Sequence, residues 1–413
     1  MNMNYSVKKK EFKKVRWDIP TFLFALLIVS SSNLFAFDAG GYNVKWSQIV
    51  LIVYCIFNFF IIIRLFKRIR IVDRFTNFTL FSIIAYAIFS MSYTLDIRLT
   101  LKQLVQIVLN VLIFYAVVAS LHYKLSLYNN MRKVTVCIFW LFVFFTIIHY
   151  FLGFIVPEFR TYSATEGALF EGIKPSVFFL DSNWHCNYVF FLYFAIYLFY
   201  RKGDVSKKVM KEALWGMLIV SVLTLSRICL LVFIVHVFFY YYRLNKFILL
   251  SLIIGAVLVY NSPIPKMILP ERYTYDLYDS DRNPRLQDSA FLIEGVSLYQ
   301  RETLGMGLGT LAIINKYNRI RASEDEYSTS INVLPVQIYY DYGLMGLIFF
   351  STIFLWGVLR TRNEDTRFIL ISSFIFCSFH MPGYMTFFWL FMGFFYYLLN
   401  IERSYRLIPY HKE

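Results

Sequence analysis

The stretch ALWGMLIVSVLTLSRICLLVFIVHVFFYYY, residues 213–242, is almost entirely apolar and carries a single arginine, Arg227. As one helix it would be about 45 Å long, too long for one upright crossing of a hydrocarbon core of about 30 Å. Basic segments flank it on both sides, at 201–211 and 242–246. Because short cytoplasmic loops carry an excess of Lys and Arg, both ends are expected on the cytoplasmic side. The sequence therefore predicts that the chain enters the membrane, turns near Arg227 and returns.

The same apolar character extends over the whole chain. Of its 413 residues, 58% are hydrophobic, and the mean hydropathy is +0.55. Soluble domains do not carry this much apolar sequence. The net charge of +15 lies mostly in segments between apolar runs, namely 8–16, 64–74, 201–211 and 360–367. That placement indicates membrane topology and argues against nucleic-acid binding.

The chain is predicted to be an all-α polytopic integral membrane protein of about twelve transmembrane helices, with both termini cytoplasmic. Helices 1–9 are expected within residues 1–260, where 157–182 forms a smaller outer segment. A long, partly helical outer loop is expected over 261–331, and helices 10–12 with a cytoplasmic tail over 332–413. The first apolar run has no small-residue cleavage site and is interpreted as a retained span. The predicted spans are 18–37, 46–63, 76–93, 101–121, 134–156, 183–200, 213–226, 228–242, 247–260, 332–359, 368–382 and 385–400.

Arg227 would lie at the outer apex of a hairpin of two short helices. One interpretation is an ordinary interfacial arginine that pairs with a lipid headgroup. The other is an inward-facing cation that awaits an anionic ligand, since ionisable residues within membrane segments are commonly functional. The sequence leaves both open.

The long outer loop contains a predicted helix over 281–302. Asn283 is a candidate cap with Pro284 in the first turn, and Ala290, Ile293, Val296 and Leu298 give an apolar face. Arg282 and Arg285 at its start run against the helix macrodipole. They are therefore interpreted as placed for a ligand, with a salt bridge to Asp279, Asp281 or Asp288 as the alternative.

The motif GMGLG, residues 305–309, follows this helix. It lacks a preceding strand and a Walker lysine, so a nucleotide site is disfavoured. It is better interpreted as a tight turn that allows close backbone approach to a ligand or a helix.

Tyrosines are dense in the long loop and carry both an apolar ring and a hydroxyl. Such rings suit sugar faces, but tyrosines also favour membrane interfaces. They are Tyr273, Tyr275, Tyr278, Tyr299, Tyr317 and Tyr327. The five cysteines show no metal-ligand spacing and are interpreted as membrane-buried thiols, so neither a metal nor another cofactor is expected.

Several short motifs occur in a characteristic order. FFLDSN (178–183) opens a predicted span, TLSR (224–227) lies at the hairpin, and LGMGLG (304–309) follows the arginine-led helix. YYDYGLMGL (339–347) completes the series. This order resembles the O-antigen polymerase and ligase superfamily, and most of all the O-antigen polymerases, over about residues 157–358.

The resemblance implies a GT-C-like glycosyltransferase of the bacterial inner membrane with a periplasmic active site. Its substrates would be O-antigen repeat units linked to undecaprenyl diphosphate. The growing glycan would pass from its lipid diphosphate to a sugar hydroxyl of an incoming unit. A chain-length regulator protein is an expected partner, and the membrane lipid is the other.

The chemistry of a diphosphate leaving group points to the arginines. Guanidinium groups bind phosphate oxygens bidentately and stabilise charge that develops in the transition state. Arg160, Arg227, Arg282 and Arg285 all fall on the predicted outer side. In the related ligases, arginines at the outer hairpin and loop contact the diphosphate, and Arg227 matches the first of these.

The predicted site combines these arginines with polar residues near the outer face. The expected catalytic residues are Arg227, Arg282, Arg285 and Asp181. The expected substrate-binding residues are Arg160, Asn183, His185, Tyr273, Tyr275 and His380. Capping of the helix that starts near 184 is the alternative role for Asp181 and Asn183. Structural hydrogen bonding is the alternative for His185 and His380.

This sequence differs from the ligases at the position expected for the general base. The ligases share a loop histidine, whereas the corresponding region here reads STSIN (328–332), and the long loop contains no histidine. The base therefore remains open between Asp181, His185, Asp341 and His380. The alternative functions are an O-antigen ligase, another exopolysaccharide polymerase, or a flippase or transporter of lipid-linked sugars.

Overall fold

A computed structural model describes most of the chain. The described residues are 18–32, 35–38, 43–60, 62–63, 72–156, 175–179, 182–224, 226–241, 292–310, 334–380 and 386–406. Their first helices are α1 (Ile19–Ser30), α2 (Trp46–Phe57), α3 (Arg74–Ser90), α4 (Ile97–Tyr123), α5 (Leu125–Ile155) and α6 (Ser182–Arg201). The later helices are α7 (Lys207–Leu223), α8 (Arg227–Val235), α9 (Leu334–Arg360), α10 (Glu364–His380) and α11 (Thr386–Arg406).

Smaller elements accompany these helices. A π-helix, His236–Tyr241, continues α8, and a short helix covers residues 292–298. Between α1 and α2 the strands β1 (Phe35–Asp38) and β2 (Asn43–Lys45) pair antiparallel. The predicted span 247–260 lies outside the described residues. The predicted span 18–37 ends early, because α1 stops at Ser30 and β1 follows.

Side-chain caps determine where several of the helices begin. Asp18 Oδ1 accepts from the N–H of Thr21 at 2.9 Å, and Asp96 Oδ1 accepts from that of Arg98 at 2.7 Å. Ser206 Oγ accepts from the N–H of Val209 at 3.3 Å. Each cap satisfies backbone donors that lack a partner within the helix.

Among the described residues, three helices are long and apolar enough to cross a membrane by length and composition. They are Ile97–Tyr123, Leu127–Ile155 and Leu334–Arg360. Several shorter helices are also apolar, among them Ile19–Ser30 and Trp46–Phe57. Large apolar side chains point outward from the bundle, as Phe60 and Ile56 show at 77% and 68% exposure. An outer surface of this kind is that of a helical membrane protein.

The stretch from 207 to 241 folds as a hairpin, as its length and flanking charges predict. Helix α7 ends at Leu223, Ser226 precedes α8, and Arg227 is the first residue of α8. Cys186 Sγ at the start of α6 lies 4.0 Å from Ser221 Oγ at the end of α7. Further along α6, Tyr193 packs against Phe233 at 5.4 Å, and Tyr200 packs against Tyr241 at 6.0 Å. Helix α8 therefore returns alongside α6, and the predicted reversal is confirmed.

The bundle has two chemically different ends. We call the end that holds Thr224–Arg227 the hairpin end and the opposite one the basic end. Lys and Arg side chains from successive helix ends gather at the basic end: Arg74, Lys124, Arg132, Lys133, Arg201, Lys202, Lys207, Lys208, Lys211, Arg360, Arg362 and Arg367. This distribution follows the loop charges that the sequence shows.

Helix α6 lies at the centre of the bundle. It contacts α5, α7, α8, α10 and α11, and every residue from His185 to Phe199 is buried. Its rings interlock with those of α11, as Tyr188 with Phe387 at 5.5 Å and Phe194 with Phe395 at 5.3 Å. This aromatic core holds α6 against α11.

Candidate functional site

A glycine-rich segment lies in a break of helix α9. We call residues 301–310 the glycine segment. Gly343 interrupts α9 with φ 65° and ψ −165°. The N–H groups of Leu344 and Met345 donate to the carbonyl oxygens of Glu302 and Thr303, at 2.7 and 3.2 Å. The interruption of the helical ladder therefore exposes donors that the segment satisfies.

The bonds also run in the other direction. Met306 N–H donates to the Tyr340 carbonyl at 2.7 Å, and Gly307 N–H donates to the Asp341 carbonyl at 3.0 Å. The segment thus satisfies acceptors before the break and donors after it. A non-helical backbone within a membrane protein is tolerated where other backbone satisfies it in this way.

The glycines are needed because the backbones approach closely. A Cβ on Gly305 would lie 2.5 Å from the nitrogen of Gly343, and a Cβ on Gly343 would overlap the Thr303 carbonyl oxygen. Gly307 meets the turn between α3 and α4, where a Cβ would lie 2.6 Å from Thr94 Cα. The interpretation of GMGLG as a turn for close approach to a helix is confirmed.

Polar and charged groups surround the docked segment. Asp341 is 1% exposed, and its Oδ2 accepts from Gln337 Nε2 at 2.8 Å. The guanidinium of Arg301 donates to the Tyr93 carbonyl at 3.2 Å. Burial raises the pKa of the Tyr93 hydroxyl, nearby Tyr86 and Asp341 raise it further, and Arg301 lowers it. A carboxylate, a guanidinium and a phenol thus influence one another at the hairpin end.

Arg227 lies at the apex of the hairpin and is exposed. Behind it, Ser226 and Cys229 are buried against the start of α6. Helix α10 contacts both α8 and α9, and so connects the helix that carries Arg227 with the helix that holds the glycine segment. Arg301 is held at the α3–α4 turn, at the opposite end of α3 from Arg74, and therefore lies on the same side of the bundle as Arg227.

Two predicted site residues, Asn183 and His185, lie at the start of α6 and have different surroundings. His185 is fully buried, its Nε2 lies 2.7 Å from Thr146 Oγ1, and its ring stacks on Phe142. This is the structural role that was its alternative. Asn183 is the second residue of α6 and lies inside the helix, so it does not have the capping role that was its alternative, and its predicted role in substrate binding stays a prediction.

Most other predicted site residues lie outside the described residues. These are Arg160, Asp181, Tyr273, Tyr275, Arg282 and Arg285. His380 is the last residue of α10, and its side chain also lies outside the described part.

The predicted helix over 281–302 differs from what the described residues show. It ends at 298, and Gln300 has a positive φ of 53°. Leu292 and Val296 are buried and pack with Met306 and Tyr340, whereas Leu298 is 75% exposed. The predicted apolar face is therefore wrong in part, because the contact with α9 selects the i, i+4 pair Leu292 and Val296.

Sequence reasoning missed Arg301. It comes four residues before the first glycine of GMGLG, and its role as an anchor to the α3–α4 turn follows only from how the segment docks. Gln337 was also missed, although it lies four residues before Asp341 on the same helical face.

No protein-family model matches this chain, and a search of curated proteins finds no match.

Proposed function

We propose that this chain is a membrane glycosyltransferase that polymerises undecaprenyl-diphosphate-linked O-antigen repeat units at the hairpin end of the bundle. In this proposal about twelve helices cross the bacterial inner membrane, with the basic end in the cytoplasm and the hairpin end in the periplasm. The observation that supports it most is Arg227 at the apex of a returning hairpin, on the end that also holds Arg301 and Asp341.

The proposed reaction exchanges one bond for another at the anomeric carbon. The bond from that carbon to the lipid diphosphate oxygen breaks, and a bond to the hydroxyl oxygen of the acceptor sugar forms. Negative charge then grows on the diphosphate, and the hydroxyl proton passes to a base or to water. Preorganised cations aimed at the growing charge are the main catalytic device for such a step.

Arginine suits this task better than lysine because its planar fork pairs with two phosphate oxygens at once. In the proposal, Arg227 binds the donor diphosphate together with the predicted loop arginines Arg282 and Arg285. Arg301 adds a further cation at this end of the bundle. Asp341 is the described carboxylate that remains among the candidates for the base.

The test uses a deletion strain complemented with single variants. Arg227→Ala is expected to remove the ladder of long lipopolysaccharide chains while one repeat unit stays attached and protein levels stay unchanged. The rate should fall about 10²-fold or more, as for loss of one charge-stabilising donor. Arg227→Lys keeps the charge without the fork and should restore only part of the chain length.

The control is Arg98→Ala, which removes another exposed arginine near the hairpin end, at the start of α4. It should leave the ladder intact. A normal ladder in Arg227→Ala would remove Arg227 from the site. Loss of even the single repeat unit would indicate ligation or flipping instead.

The break in α9 favours a second candidate, a flippase of the same lipid-linked units. Discontinuous helices form the substrate sites of many transporters, usually near the middle of the membrane. Gly343 lies nine residues after Leu334, about 14 Å from the start of α9, and therefore nearer the hairpin end. Polymerisation by the purified protein from lipid-linked units supplied on one side would exclude transport as the main activity.

A further inference from the structure

Helix α4 carries a stripe of polar side chains along one face. Thr100, Gln103, Gln106 and Asn110 recur at spacings of three and four residues, which places them on the same side of the helix. The stripe extends about 15 Å along the helix from its first turn. Uncharged polar side chains grouped in this way are uncommon in an apolar membrane helix and call for a partner or a ligand.

The stripe begins at the glycine segment. Thr100 Oγ1 donates to the Leu308 carbonyl at 2.8 Å and lies 2.6 Å from Thr94 Oγ1. A Cβ on Gly309 would lie 2.8 Å from Gln103 Cγ. The polar face of α4 is therefore continuous with the segment that carries Arg301.

Deeper in the bundle the amides form a directed chain of hydrogen bonds with α2. Lys45 N–H donates to Gln48 Oε1 at 3.1 Å, and Gln48 Nε2 donates to Gln106 Oε1 at 2.8 Å. Gln106 Nε2 then donates to Asn110 Oδ1 at 3.1 Å. Gln48 and Asn110 are buried, at 5% and 2% exposure.

The opposite face of α4 is the lipid-facing one. Leu101, Val105 and Val108 lie there at 50%, 44% and 41% exposure. Gln103 and Gln106 are partly exposed on the inner side, away from these residues. Both side chains keep part of their area exposed on this side, next to the buried Gln48 and Asn110.

Cohesion between helices explains only part of this arrangement. The Gln48–Gln106 pair is enough to tie α2 to α4 through an interhelical hydrogen bond. It gives no reason for Gln103, a further amide with exposed area on the same inner face. A hydrated opening does, because amides exposed to water or ligand are not left unsatisfied.

We infer that Gln48, Gln103, Gln106 and Asn110 line a hydrated groove that binds the hydroxyl-rich glycan of a lipid-linked oligosaccharide. An amide offers two donors and two acceptor lone pairs, so it pairs with sugar hydroxyls in either sense. The groove opens at the hairpin end beside the glycine segment. The groove itself is independent of the proposed function, whereas the identity of its ligand rests on it.

Cysteine accessibility tests the groove. Gln103→Cys and Gln106→Cys are compared with Val105→Cys and Val108→Cys in the full-length chain in membranes, using a charged maleimide that does not enter lipid. Modification of each site is quantified by mass spectrometry, so the native cysteines remain in place. We expect positions 103 and 106 to react at least about 10-fold faster than 105 and 108. Equal rates in folded protein would overturn the groove.

Protection from the maleimide tests the ligand. Purified undecaprenyl-diphosphate-linked oligosaccharide should slow modification at positions 103 and 106, whereas undecaprenyl phosphate without a glycan should not. Equal protection by both lipids, or by neither, would overturn the glycan as ligand. Because this readout needs no turnover, it remains decisive if the wild-type protein fails to polymerise and the proposed function fails.

A conservative variant adds a functional readout. Gln106→Leu removes the two hydrogen bonds that the side-chain amide makes with Gln48 and Asn110. Gln106→Asn keeps an amide on a shorter side chain. We expect Gln106→Leu to raise KM for lipid-linked units about 10-fold with less change in kcat, and Gln106→Asn to recover part of the loss. A fall in kcat with unchanged KM would contradict glycan binding by this residue.

Discussion

At the residue scale, Gly343 at the break in α9 can be compared with Gly203, which lies in the turn after α6. Gly343 and Gly203 both have positive φ, 65° and 75°, but only Gly343 has neighbours that a Cβ would overlap. Alanine at a left-handed position such as Gly203 costs about 1–2 kcal/mol, and Gly343, with ψ −165°, lies in a backbone region that is essentially restricted to glycine. Gly343→Ala should therefore destabilise the protein clearly more than Gly203→Ala, as measured by thermal unfolding in detergent.

A second prediction concerns the backbone hydrogen bonds that Gly343 allows between α9 and the glycine segment. Displacing the Thr303 carbonyl would disturb the bonds that Leu344 and Met345 donate to the glycine segment. Gly343→Ala should accordingly increase proteolysis within 301–310, whereas Gly203→Ala should leave it unchanged. Equal melting temperatures and equal cleavage in the two variants would show that the segment is not held by close approach.

At the element scale, Asp73 caps α3 and ties it to α11. Its Oδ1 accepts from the N–H groups of Phe75 and Thr76 at 3.0 Å each, and its Oδ2 accepts from the Tyr396 hydroxyl at 3.0 Å. Burial raises the pKa of this carboxyl, but the hydrogen bonds from Thr76, Tyr396 and Phe75 outweigh burial and hold it below its usual 3.8. The charged form is therefore favoured in the folded state.

A depressed folded pKa sets the direction of the pH dependence. The stabilisation is present above the unfolded value and is lost as the pH falls through the folded value. Asp73→Ala should cost about 1–2 kcal/mol at neutral pH. Asp73→Asn keeps the cap acceptor but cannot titrate, so its melting temperature should fall less than that of the wild type between pH 5 and pH 2. Parallel curves would contradict the depressed pKa.

The elements also differ in how much of them the sequence could predict. The α7–α8 hairpin followed from the length of one apolar run and from its basic flanks, both of which are local. The break in α9 did not, because Gly343 lies in an apolar run that reads as continuous and its partner segment lies some 40 residues earlier. Its need for glycine arises only where Gly305 and Thr303 pack against it.

The polar stripe of α4 could have been predicted from the sequence, although no site was predicted there. Gln103, Gln106 and Asn110 have helical spacing inside a predicted span. Their pairing with Gln48 depends on how α2 packs against α4, which no local pattern specifies. Likewise, the burial of His185 depends on Thr146 and Phe142 of another helix, which no local pattern at the start of α6 specifies.

At the scale of the whole molecule, the separation of charge predicts the orientation in the membrane. Lys207, Lys208 and Lys211 lie at the basic end, which the positive-inside rule assigns to the cytoplasm. A cysteine at Lys208 should resist a membrane-impermeant reagent in spheroplasts and react after lysis. A cysteine at Leu95, which is 46% exposed in the turn before α4, should react without lysis. The two positions control for each other, because both are exposed and only their sides differ. The reverse pattern would put Arg227 in the cytoplasm, where a lipid-linked unit already carried to the outer leaflet is out of reach, and polymerisation at the hairpin end would then be untenable.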